Sequence, residues 1–129
     1  MPLFLFNMKY LILFLLSCFY HSVSAEQLPA GEMKKIGYSL ANYQLCSEIA
    51  LAFNDPVMSY YYEKMLLEEE SNHKKLMLKQ TEVISKEQVK ASLILSQINR
   101  ASMHQLCSSR FDNVSRQYYQ TLFDNQPIE

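Results

Sequence analysis

Apolar residues fall into two regimes along this chain: one short, nearly continuous run, then long stretches in which they recur every third or fourth position. The run extends from Tyr10 to Tyr20 and is interrupted only by Ser17. It follows Met8-Lys9, a basic start, and leads into Val23-Ser24-Ala25, small residues at the positions a signal peptidase reads. This pattern predicts a cleaved signal peptide over residues 1–25, with cleavage before Glu26 and export to the periplasm or beyond the cell. The run is about half of the ~20 apolar residues that span a bilayer, so membrane contact is expected only through this segment before cleavage. Leu15-Leu16-Ser17-Cys18 loosely matches a lipoprotein signal, but Leu16 and the bulky Phe19-Tyr20 fit it poorly.

From residue 26 onward the apolar period is helical, and the chain reads as a single domain over residues 26–129. A first helix is predicted over 32–53, with Ile36, Leu40, Tyr43 and Ala50 on one stripe and Leu45, Ile49 and Phe53 on a second. Asn54-Asp55-Pro56 ends it and opens a second over 56–80: either Asn54 or Asp55 supplies a cap, and Pro56 suits the first turn, where no N–H is needed. The inward stripe of this second helix is expected to hold Met58, Tyr61 or Tyr62, Met65, Leu66, His73, Leu76 and Met77. Thr81-Glu82-Val83-Ile84 is the weakest helical segment, and Ser85-Lys86-Glu87-Gln88 after it fits a capping box. A third helix is therefore expected over 86–108. Its stripe of Val89, Leu93, Ser96, Arg100, Met103 and Cys107 continues through Phe111, Val114, Tyr118 and Leu122. Unbroken from Lys86 to Phe123 it would be about 57 Å long, longer than its neighbours can cover, so a break is expected around Ser108-Ser109-Arg110, with a fourth helix over 112–123.

Composition supports that reading. After residue 25 glycine occurs only at 31 and 37, and proline only at 29, 56 and 127, too few turn residues for a strand-rich fold. The expected fold is all-α: an antiparallel three- to four-helix bundle, first and third helices parallel. Cys18 leaves with the signal, so Cys46 and Cys107 remain, with one possible pairing across 107 − 46 = 61 residues. In an oxidising compartment they are expected to form a structural disulfide. In a straight bundle, a stagger of about 10 Å between the two parallel helices would bring them level.

Charge and motifs narrow the function by exclusion. Loss of Lys9 leaves 12 − 1 = 11 basic against 13 acidic side chains, close to neutral and without a basic stripe. Nucleic acid is therefore not expected as a partner. There is no G-x-S-x-G, C-x-x-C, C-x-x-C-H or glycine-rich phosphate loop. No catalytic residues and no cofactor are expected, and the chain is not read as an enzyme.

Two features remain. Tyr60-Tyr61-Tyr62 steps ~100° per residue around its helix, so the three rings cannot all face one core. Together with Tyr118 and Tyr119 they form the candidate interface, since tyrosine offers a large apolar face with a polar tip and few rotors. The leading expectation is a protein-binding factor of inhibitor, immunity, chaperone or assembly type. Its partner would be another envelope or secreted protein, with self-association through the C-terminal segment as a further expectation. The alternative is a small metal- or ligand-binding protein using Glu70 and His73, an E-x-x-H on one helix face, with His104. A softer copper variant adds Met77 and Met103. No second E-x-x-H accompanies His104, so the ligand count favours no metal.

Overall fold

The computed structural model describes residues 28–127, so the expected signal peptide over 1–25 lies outside the described residues. Among those described, the chain is all-helical, with five helices and no strand. They are α1 (Ala30–Ala52), α2 (Pro56–Asn72), α3 (Leu78–Ser96), α4 (Arg100–Arg110) and α5 (Asn113–Asp124). None is long and apolar enough to cross a membrane.

Helix α1 is the hub, packing against α2, α3 and α4, while α5 packs on α2. The turn between α1 and α2 takes three residues and uses each differently. Asn54 adopts φ 58°, a left-handed conformation that asparagine tolerates. This lets the Asn54 and Asp55 N–H groups return to the carbonyls of Leu51 and Ala50, closing the end of α1. The Asp55 carboxylate then accepts from the Met58 N–H at 3.2 Å to open α2, with Pro56 in its first turn.

The two helices run antiparallel. Ser47 and Ser59, both buried, approach to 3.1 Å between hydroxyls, and Tyr43 lies against Tyr62. Helix α3 runs parallel to α1 instead. Its backbone comes so close that a Cβ at Gly37 would meet the Gln88 nitrogen at 2.8 Å and the Ile84 carbonyl at 2.9 Å. Gln88 of α3 also donates to Gln44 of α1 at 3.4 Å, further along the same register.

The length of α1 explains where the neighbouring helices stop. With Ser47 opposite Ser59, the start of α1 faces the mid-seventies of the chain. A helix continued past that point has nothing to pack on. The second helix expected over 56–80 accordingly ends at Asn72, and residues 73–77 turn the chain back. Helix α3 begins at Leu78, so Ser85–Gln88 lies inside a helix and is no capping box. In the parallel pair, α3 runs out at the same end as α1, and the helix expected over 86–108 breaks at Gln97–Asn99. Asn99 caps α4 by accepting from the Ala101 N–H at 2.8 Å. A second break falls at Phe111–Asp112, directly after Ser108-Ser109-Arg110, where Asp112 caps α5 through the Ser115 N–H at 2.8 Å.

The break at 97–99 also brings the cysteines together. Helix α4 folds back from the end of α1, with His104 stacked on Phe53, and reaches Cys46. Cys46 and Cys107 lie at disulfide distance, with Cα atoms 5.6 Å apart. Chain reversal therefore takes the place of the stagger expected between long parallel helices. The main core surrounds this cross-link: Ala50, Val57, Met58, Tyr62, Leu95, Met103 and Phe111 pack with it. A smaller cluster of Ile36, Leu40 and Ile84 closes the other end of α1 and α3.

Candidate functional site

The candidate tyrosines line a continuous aromatic cluster that begins at the disulfide. Tyr62 is 1% exposed and its hydroxyl donates to the Cys107 carbonyl at 2.7 Å. Burial pushes its pKa up to about 12. Tyr61 lies flat on Phe111, ring centroids 4.7 Å apart, and turns its edges toward Tyr62 and Tyr119. Tyr60 meets Tyr119 and Phe123 edge-on, and the Lys64 ammonium sits 5.2 Å over its ring. Burial also raises the pKa values of Tyr43, Tyr61 and Tyr119.

Three adjacent tyrosines find three different neighbours because α2 is flanked on more than one side. Tyr62 faces α1 and α4, Tyr61 faces the α4–α5 hinge, and Tyr60 faces α5. Tyr62 is thus a core residue with its hydroxyl already engaged, and it leaves the candidate interface. Tyr60, Tyr61 and Tyr119 are half-buried against one another. Of the five, Tyr118 alone is exposed, at 61%.

An ion pair borders this cluster. Arg116 donates to both carboxylate oxygens of Asp55, at 3.1 and 2.7 Å, while its guanidinium lies 4.7 Å over the Phe111 ring. Asp55 thereby serves two elements, capping α2 and holding α5. The hydrogen bonds from Arg116 keep its carboxyl below the usual aspartate range, with the Met58 N–H adding to the effect.

The residues of the metal alternative do not converge. His73 caps the end of α2, its Nε2 3.4 Å from Glu69 rather than Glu70. His104 stacks on Phe53 at the opposite end of α2, about 25 Å away along a 17-residue helix. Met103 is buried in the core, whereas Met77 is exposed in the turn before α3. Among the described residues no three His, Cys, Asp or Glu side chains form a group able to hold a metal ion.

A surface the periodicity misplaced lies on α3. The expected inward stripe included Val89 and Leu93, yet α3 turns Ile84, Ala91 and Leu95 to the core. At 100° per residue, Leu93 stands diametrically opposite that stripe. Leu93 and Ile94 are 63% and 64% exposed, and Val89 is also exposed. Val89 and Leu93 line a shallow groove with Ser85, Gln88, Ser92 and Ser96 of α3 and Gln44 of α1, and no charged side chain lines it. Lys86 and Lys90, both exposed, lie beside Leu93 on the helix surface. The signal that could have located this face is the competing spacing Ile84, Gln88, Ala91, Leu95, which keeps three apolar residues in step but admits a glutamine.

Comparison with protein families, curated proteins and solved structures finds no match to this chain.

Proposed function

We propose that this chain is an exported protein-binding factor of inhibitor, immunity, chaperone or assembly type, working in the periplasm or outside the cell. One observation carries the binding role. The helix α3 presents Val89, Leu93 and Ile94 to solvent, while Ile84, Ala91 and Leu95 fill its inner side. Solvent-exposed aliphatic side chains clustered on one helix, beside a neutral groove, are a pattern of partner-binding surfaces. The chemistry that fits is an apolar segment of another envelope or secreted protein, with acidic residues positioned to meet Lys86 and Lys90. Export is supported by the signal-peptide pattern and by a cysteine pair at disulfide distance, which suits an oxidising compartment.

Site-specific photocrosslinking in exporting cells tests this reading. A crosslinker at position 93 is expected to give a discrete adduct with another exported protein, and one at Gln105, an exposed position on α4, is expected to give none. Equal adducts from both positions, or none from 93, would remove α3 as the binding face.

A further inference from the structure

Helix α5 is attached differently from the other four. Its packing against other helices is on α2, and none of its residues is buried. It is held by the Arg116–Asp55 pair and by the Tyr119 and Phe123 rings against Tyr60 and Tyr61. Its connection to α4 is two residues long, Phe111 and Asp112.

The sequence of α4 and α5 carries a second arrangement. Cys107, Phe111, Val114, Tyr118 and Leu122 follow one helical stripe across the hinge. Cys107 and Phe111 are buried, yet Val114 is 77% exposed, and Tyr118 and Leu122 are exposed as well. These three align with the buried pair only when α4 and α5 are one straight helix. Straightening carries α5 away from its own α2 and uncovers Asp55, Tyr60 and Tyr61. What fits that vacated surface is the same amphipathic helix, with an arginine placed for Asp55 and two rings placed for Tyr60 and Tyr61.

We infer that α5 exchanges between two copies of this chain. In the exchanged dimer each α4–α5 is continuous, and each α5 lies on the partner copy's α2. The Arg116–Asp55 pair and the Tyr119 and Phe123 contacts with Tyr60 and Tyr61 are remade between chains, so closed and exchanged forms differ only at the hinge and at new contacts between copies. Val114, Tyr118 and Leu122 gain cover where the two straightened helices leave their own bodies and meet the partner. The occupant of the α2 surface is therefore a second copy. This inference concerns α2 and α5 and is independent of the binding role of α3.

A charge-reversal mixture tests it on the chain as recovered after export. Asp55→Arg alone leaves two arginines at the contact, and Arg116→Asp alone leaves two aspartates. Exchange between the two variants restores an Arg–Asp pair at both sites, which neither variant can form by itself. Sedimentation and native mass spectrometry are expected to show monomers of each variant alone and a 1:1 heterodimer in the equimolar mixture. Two independent monomers in the mixture, or homodimers as abundant as the heterodimer, would overturn the inference. A second variant guards against misfolding of the reversed chains. Asp112→Ala removes the cap that starts α5 at the hinge and is expected to raise the dimer fraction, by about fivefold in equilibrium constant per chain; an unchanged fraction would count equally against exchange.

Discussion

At Gly37 a missing side chain sets the distance between two helices. A Cβ there would fall within 3 Å of backbone atoms at Ile84 and Gln88 and of the Glu87 Cβ, none of which is the far end of a flexible side chain. Gly37→Ala is therefore expected to destabilise the fold by about 1–3 kcal/mol, outweighing the ~1 kcal/mol of helix propensity that alanine brings. Gly31 has nothing within 4 Å of the same position, so Gly31→Ala is expected to be neutral or stabilising. Urea unfolding midpoints of the two variants check this pair, and equal shifts would show that α1 and α3 do not touch at Gly37. Tyr62 is the other decisive residue. Tyr62→Phe is expected to cost about 0.5–1.5 kcal/mol, because the Cys107 carbonyl still accepts from the Phe111 N–H after the hydroxyl is lost. Its pKa rises from 10.0 to about 12 on folding, so its stabilising contribution is complete below pH 10 and is lost as pH rises toward 12. Stability is expected to fall through that window, and Tyr62→Phe to flatten the fall. Little of this was legible in the sequence: both glycines look alike there, and a run of three tyrosines does not say which ring is interior.

Among the elements, α5 is expected to loosen first in acid. Asp55, which receives Arg116, and Asp112, which caps α5, both have carboxyl groups held below their ordinary range. A lowered folded pKa stabilises above the unfolded value, near 3.8, and that contribution disappears as pH falls through the folded one. Tyr119 ring resonances are therefore expected to move toward free-peptide positions below pH 3.8, before those of Tyr62 in the core. Arg116→Ala is expected to loosen α5 already at neutral pH and to leave Asp55 near its ordinary value. Simultaneous change of both rings would show that α5 is no separate unit. At this scale the sequence was informative about type and less so about ends. The helical period and the Asn54-Asp55-Pro56 turn are plain in the residues. The stops at Asn72 and Ser96 are set by where α1 begins and ends, a tertiary limit with no local signature beyond Asn99, itself a good cap residue. The inversion of α3 has a similar cause. Val89 and Leu93 face outward, because the close approach at Gly37 selects the side of α3 that carries Gln88 and Ala91.

For the whole molecule, the Cys46–Cys107 link divides the chain into a closed body and an appended helix. It encloses α2 and α3 between part of α1 and most of α4, and α5 lies beyond it. Reduction is expected to remove about 4 kcal/mol of stability through the unfolded chain's regained freedom, a loss read as a lower denaturation midpoint of the closed body. The cross-link was legible from cysteine count alone, whereas the reversal that forms it was not. The binding role rests on a surface that the periodicity assigns to the core, and it is open to a direct test. A non-reducing native mass spectrum of the chain expressed with residues 1–25 in place provides one. The expected result is a mass for residues 26–129 less two hydrogens, together with a complex containing another exported protein that disappears in Leu93→Glu. A stoichiometric metal or small-molecule adduct in place of that complex, or a complex indifferent to Leu93→Glu, would contradict the account.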